Sequence, residues 1–250
     1  LAEIEVGLNV VRPSPNQSLF RYIGLNNKSS WGYLEETLNN FTLRGSLATS
    51  LNDPFEQNPC VFDDLTPTLL EQFRQSQNPL VAPEVGLLSE QQIADYRKGA
   101  RDFLGEEQRS KRLIAFYERS DSPLLWSHYA NSYKGACLHF LGGRISKFRD
   151  SFPALFGKVQ YSVHRPIYPL SLALAQSHYY KENFLAKRNS LPKAESEKLL
   201  FFWKSIDWAH ENEFRIVYNG QRTPEFPFNP ESLASIIVGP RMPSKDFDRL

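Results

Sequence analysis

Glu211-Asn212-Glu213-Phe214-Arg215-Ile216-Val217-Tyr218 alternates with the period of a β-strand. Successive strand side chains point to opposite sides. Phe214, Ile216 and Tyr218 therefore share one face, and Glu211, Glu213 and Arg215 share the other. The apolar face needs a core to cover it. The charged face is the more informative one. Neighbouring carboxylates compete for protons, while a guanidinium beside them favours their ionised forms. Such a row holds a carboxylate ready for chemistry, or it is a charge ladder facing solvent.

Similar short runs recur on both sides of this stretch. Leu19–Ile23, Leu43–Thr49, Leu113–Tyr117, Gly135–Phe140, Lys158–Tyr161 and Ser235–Val238 read as strands, the last closed by Gly239-Pro240. The strand at the centre of the reading runs from Asn212 to Tyr218. Helices are predicted over Trp31–Leu38 with Ser30 as cap, Pro67–Arg74, Glu90–Leu104, and Pro123–Ala130 started by Ser122. Ile93, Tyr96, Ala100 and Phe103 give the third of these its apolar stripe. Residues 170–205 are helical in pattern. The order lacks the regular alternation of a parallel βα sheet, so the expected class is α+β: a split or bent, mostly antiparallel sheet with flanking helices. Residues 1–18 read as an extended arm and 19–250 as a single domain. The Pro-, Gln- and Asn-rich stretch 57–90 reads as a mobile excursion or lid.

Composition narrows the function classes. The chain has 250 residues, enough for one large domain, with 29 basic and 28 acidic residues and a net charge of +1. That balance disfavours a protein that coats DNA, which needs an excess of cations. Two cysteines, Cys60 and Cys137, are too few for a disulfide framework. Both read as buried small apolar residues in a reducing, cytoplasmic setting. The longest strongly apolar run is Leu199–Trp203, far short of the roughly 20 residues of a membrane-spanning helix. The chain starts at Leu1, not at Met, and both ends read as fragment ends. No His/Cys/Asp/Glu set has zinc spacing, so no metal is expected, and GxGxxG, P-loop and GxSxG strings are absent.

Three clusters carry the polar chemistry. Asn52-Asp53-Pro54-Phe55-Glu56 is a turn, and the rim of a pocket at a strand end. Trp126-Ser127-His128-Tyr129-Ala130 puts an indole, two hydroxyls and an imidazole in one helical turn. There Ser127, His128 and Tyr129 point in three directions. His128 reads either as an acid or base, or as a histidine satisfied at a core edge. The third cluster is Lys204, Asp207, Trp208, Glu211, Glu213 and Arg215.

Leu19-Phe20-Arg21-Tyr22, the Asn52–Glu56 string, Leu125–Ala130 with Gly135, Trp208–Arg215 and Ile237–Arg241 occur in an order that resembles the bacterial family called domain of unknown function 2971. That label implies no activity. The layout also resembles the ADP-ribosyltransferase superfamily: a strand with a basic residue and a Tyr, a helix, a strand, and a late strand opened by Glu-x-Glu. The resemblance implies that Arg21 touches the ribose or phosphates of NAD, with Tyr22 beside it. It implies that Glu213 holds a ribose hydroxyl and stabilises an oxocarbenium-like state, and that Glu211 faces the acceptor. For the middle role, Ser50 in Thr49-Ser50 and Tyr129 are the alternatives. Asn52, Asp53, Ser127 and Arg215 complete the expected NAD-binding set.

The expected function is thus an NAD-consuming, ADP-ribosyltransferase-like enzyme, a toxin or phage-defence effector, with an unnamed protein or nucleic-acid acceptor. Two readings compete with it. One is a non-catalytic ligand sensor in which Trp126 and Trp208 are core. The other is a nucleotide or RNA hydrolase using His128 with the Glu211 and Glu213 carboxylates.

Overall fold

A computed structural model of the chain describes residues 11–53, 55–77, 88–145, 154–179, 193–221 and 224–250. Its first third holds β1 (Ser18–Ile23), α1 (Lys28–Asn40), β2 (Thr42–Arg44), β3 (Ser46–Leu47), β4 (Cys60–Phe62), α2 (Pro67–Gln77) and α3 (Glu90–Ser110). Next come β5 (Lys111–Tyr117), α4 (Pro123–Tyr129), β6 (Ala136–Leu141), α5 (Gly142–Ile145), β7 (Ala154–Lys158), β8 (Gln160–Ser162) and β9 (Ile167–Pro169). The last part holds α6 (Leu170–Tyr179), α7 (Lys193–Phe201), β10 (Trp203–Ser205), β11 (Glu213–Asn219), β12 (Glu225–Pro227), β13 (Leu233–Val238) and α8 (Ser244–Phe247).

The main sheet runs β13-β6-β1-β5-β11-β7, with β3 added to β5, and every pairing in it is antiparallel. The α+β expectation holds, and so does the split. β1 and β6 pair continuously from Ser18↔Leu141 to Ile23↔Ala136. β11 and β5 pair from Glu213↔Tyr117 to Asn219↔Lys111. Between these halves β1 meets β5 at one register pair, Phe20↔Tyr117.

The two faces differ. On one, Leu19, Ile114, Phe116, Leu138, Phe140, Phe214 and Ile216 form a continuous apolar layer under Trp31 and Leu34 of α1. On the other, two apolar clusters stand apart. Leu113 and Val217 are covered by α2, α3, α6 and α7. Tyr22, Tyr117 and Cys137 are covered by Leu125 and Trp126 of α4. Glu213 and Arg215 share this second face with Val217, because they alternate with Phe214 and Ile216.

Local chemistry explains where the elements depart from expectation. Asn27, not Ser30, caps α1: its Oδ1 accepts from Ser30 N at 2.8 Å, while Asn27 N donates to Ser30 Oγ at 3.1 Å. Ser30 is the partner in that box, and the helix starts at Lys28. α3 runs on to Ser110 through Gly105, because tertiary packing outweighs the ~1 kcal/mol that an internal Gly costs. The predicted Leu43–Thr49 strand breaks at Gly45, where a Cβ would lie 2.7 Å from Tyr218 Oη. β2 then pairs with β12, β3 pairs with β5, and Ala48–Ser50 winds into a 3-10 turn. Lys158–Tyr161 divides at Val159 into β7 and β8, and β8 pairs parallel with β10. The helical pattern of 170–205 becomes α6 and α7, then ends in strand β10; residues 180–192 lie outside the described residues.

Residues 11–18 of the predicted arm are tied down, with Lys158 N donating to Val11 O at 2.8 Å; residues 1–10 lie outside the described ones. The predicted excursion 57–90 contains β4 and α2, and its residues 78–87 are likewise outside. Cys137 is buried as expected, but Cys60 is exposed, because β4 pairs with β9 in a two-stranded ribbon that leaves its side chain uncovered. No helix among the described residues is long and apolar enough to cross a membrane.

Candidate functional site

The 3-10 turn Ile206–Glu211 leads into β11 through Asn212, whose φ of 46° is left-handed. Asn is one of the few residues that visits that region routinely. The kink corrects the sequence reading: the strand begins at Glu213, and Glu211 lies on the turn before it, not on the strand face. The charges nonetheless converge, because Lys204 in β10 joins them. Its Nζ donates to Glu211 Oε2 at 2.6 Å and to Glu213 Oε2 at 3.3 Å. Tyr129 Oη, from the end of α4, donates to the other Glu211 oxygen at 2.7 Å.

Arg215 completes the cluster. Its guanidinium grips Glu213 through Nε and, at 2.9 Å, through Nη2. Nη2 also bonds Glu56, and Nη1 donates to Phe201 O at 2.9 Å. Tyr161 Oη accepts from the Glu213 backbone N–H at 2.8 Å. The solvent-facing charge ladder is thereby ruled out: Glu211 is 1% exposed, Glu213 2% and Arg215 2%. Buried charges need partners, and these three have them.

The Asn52–Glu56 turn supplies the opposite wall. Asp53 Oδ1 accepts from Phe55 N at 2.8 Å, and Glu56 N donates to Asp53 O at 3.1 Å. This winding aims Glu56 at Arg215. Asp53 Oδ2 is buried with no hydrogen-bond partner. Four carboxylates (Asp53, Glu56, Glu211, Glu213) thus surround or back the site against three cations (Arg21, Lys204, Arg215). Burial pushes the Glu213 carboxyl up to about 8. Lys204 pulls against that shift and the Glu211 charge adds to it. Burial also raises the Tyr117, Tyr129 and Tyr161 phenols, which therefore act as neutral donors or acceptors near pH 7. Burial opposes the Lys204 charge, but the Glu213 and Glu211 carboxylates outweigh it and hold that ammonium on.

These groups wall a cavity of about 270 Å³. Of the residues expected from sequence, Arg21, Tyr22, Ser50, Asn52, Asp53, Tyr129, Glu213 and Arg215 line it. Glu211 stands one hydrogen bond behind, held by Tyr129 and Lys204. Ser127 and His128 do not line it; both are exposed on α4. The helical rotation that sends Tyr129 inward sends its two predecessors out. Glu56, Lys204 and Trp208, which stood in the quoted clusters without an individual role, and Tyr117, which stood in none, also line the cavity. Trp208 is half-buried at the rim rather than core, with Lys204 Nζ 4.8 Å from its ring centroid. The signal for Glu56 and Lys204 was their place in the quoted clusters. Tyr117, paired with Glu213 and stacked on Tyr129 at 5.5 Å, had none, since a strand tyrosine reads as core.

Arg21 sits where the sheet splits. It donates to Ala115 O and to Arg44 O, both at 3.1 Å. Burial lowers its pKa, and no carboxylate among the described residues pairs with it. A second cavity, about 430 Å³, adjoins the first and shares Arg21, Tyr22, Ser46 and Ser50 with it. No group of three or more His, Cys, Asp or Glu able to hold a metal occurs among the described residues.

Residues 125–216 match the family model described as Protein of unknown function (DUF2971). The matched stretch spans Tyr129, Lys204, Glu211, Glu213 and Arg215. Neither a curated protein nor a solved structure matches the chain.

Proposed function

We propose that this chain is an NAD-consuming enzyme of the ADP-ribosyltransferase type, which breaks the nicotinamide–ribose bond and passes ADP-ribose to an acceptor. One observation carries the reading: Arg21 of β1 and Glu213 of β11, far apart in the chain, line the same cavity. A basic residue for the phosphates and a fixed carboxylate for the sugar are the two groups such a reaction needs at one site.

The chemistry fits the charges. The nicotinamide–ribose bond breaks with its electron pair leaving on nicotinamide, and positive charge builds on the ribose. Glu213, held in place by Arg215 and Lys204, faces that charge without having to reorganise. The carboxylates around the cavity also suit the cationic nicotinamide ring. Tyr129 and the half-buried Trp208 supply flat surfaces for that ring. The acceptor's lone pair then forms the new bond at the ribose carbon, and its proton passes to Glu211 by way of Tyr129 Oη, which lines the cavity and is hydrogen-bonded to that carboxylate.

The hydrolase reading needs His128 beside the carboxylates, and His128 is exposed outside the cavity. The sensor reading keeps one support: Glu213 is already satisfied by Arg215 and Lys204. Nicotinamide release from NAD, with and without cell lysate, separates them. Release by the wild type and its loss in Glu213→Gln supports the transferase. A folded protein that binds NAD without cleaving it is a sensor.

A further inference from the structure

The second cavity plays no part in the bond-breaking chemistry above. It lies beyond Arg21, bounded by α1, β2, β3 and β5. Its wall carries three arginines, Arg21, Arg44 and Arg112, and no carboxylate. Among the described residues no ion pair involves any of them. Glu225 stands opposite Arg44 in the β2–β12 register but is not part of the wall.

The donors in this cavity are underused. Arg112 gives Nη1 to Gly45 O at 2.7 Å, while its Nε is buried without a partner. Arg21 spends two donors on backbone carbonyls, and a guanidinium has five. Three cations in one wall repel each other, and a bound anion relieves that repulsion. The planar fork of arginine matches phosphate oxygens. Beside the cations, the Arg44 guanidinium lies 4.6 Å from the Tyr33 ring centroid, a stacked pair that offers a flat surface to a base. Arg21, Tyr22, Ser46 and Ser50 belong to both linings, so the two cavities are neighbours.

We infer that the second cavity is a binding subsite for a nucleoside diphosphate, with Arg44 and Arg112 gripping its phosphates. The inference leans on the NAD reading only for what the ligand's far end is, not for its class.

Calorimetric titration of the purified chain with ADP, adenosine and NAD tests it, against Arg44→Gln and Arg112→Gln variants whose folding is checked by thermal melting. ADP binds the wild type, adenosine binds at least about tenfold more weakly, and each variant weakens ADP by about tenfold, as loss of a charge-assisted phosphate contact does. Arg44 is exposed, so its variant carries the test alone if Arg112→Gln does not fold. No ADP binding by the wild type, or equal binding by wild type and Arg44→Gln, overturns the inference. ADP binding without NAD cleavage leaves this subsite standing and removes the transferase reading. NAD cleavage with a KM unmoved by Arg44→Gln does the reverse. Competition between NAD and ADP marks the ligand as half of a dinucleotide, whereas ADP binding that NAD does not displace marks it as the free nucleotide.

Discussion

The two faces of the central sheet are built from the same strands and do different work. Phe214 and Ile216 look into a continuous apolar layer; Glu213 and Arg215, one residue away on the same strand, look into a charged cavity. The apolar face is held by area removed from water, which is non-directional and forgiving of detail. The charged face is held by a closed set of donors and acceptors, which tolerates little change of partner. The apolar face contributes stability, and the charged face gives up some of it to fix a carboxylate.

Substitutions one strand position apart break this contrast or sharpen it. The largest effect belongs to Phe116→Ala on the apolar side. It leaves a cavity among Phe140, Phe156 and Ile114 and is expected to cost about 3–5 kcal/mol by denaturant titration. NAD cleavage per folded molecule should not change. Glu213→Gln comes next. It should lower nicotinamide release by about 10²–10³-fold, the usual consequence of losing one fixed electrostatic group at a developing charge. Arg215 keeps Glu56 and Lys204 keeps Glu211, so the variant should stay folded. A melting temperature that collapses while activity per folded molecule persists would mean that the two faces do the same work.

The pH profile is a finer probe. If cleavage needs ionised Glu213, the rate should climb with pH, about tenfold per unit, and level off above about 8. Stability should move the other way. A carboxyl whose folded pKa lies above its unfolded value binds more protons when folded. Its contribution is complete below about 4.5 and is lost as pH rises to about 8. A melting curve flat across that window, with Glu213→Gln identical to wild type, contradicts the assignment. The smallest effect is His128→Ala: exposed and outside the cavity, it should change stability by less than about 0.5 kcal/mol and leave cleavage unchanged. Loss of activity there would revive the hydrolase reading.

The contrast between faces also sets what was legible in the sequence. Period-two alternation identified the strand through Tyr218 and assigned Glu213 and Arg215 to one face correctly. It misplaced Glu211, because one left-handed Asn breaks the period without changing the polarity pattern. The class and the split were readable, but the strand order β13-β6-β1-β5-β11-β7 was not, since it is set by pairings between residues distant in the chain. For the same reason Glu56 looked like a turn residue and Lys204 like part of a helix end, until both met the β11 charges. Helical direction already said that Ser127, His128 and Tyr129 could not all face one pocket; which of them turns inward was set by how α4 packs, and it is Tyr129.

The single Phe20↔Tyr117 register pair has a mechanical consequence. Beyond it, no backbone ladder joins β1 to β5, and the apolar layer is supplemented by side-chain ties, among them Arg21 reaching the carbonyl of Ala115. A fastening made by a cation can be undone by an anion, which no ordinary strand pairing can. A bound phosphate that draws Arg21 away would loosen the seam beside that one pair, while the apolar layer still holds the halves together. Ligand occupancy would then be written into the protection of the backbone amides along that seam, which should exchange faster with solvent when the site is full than when it is empty.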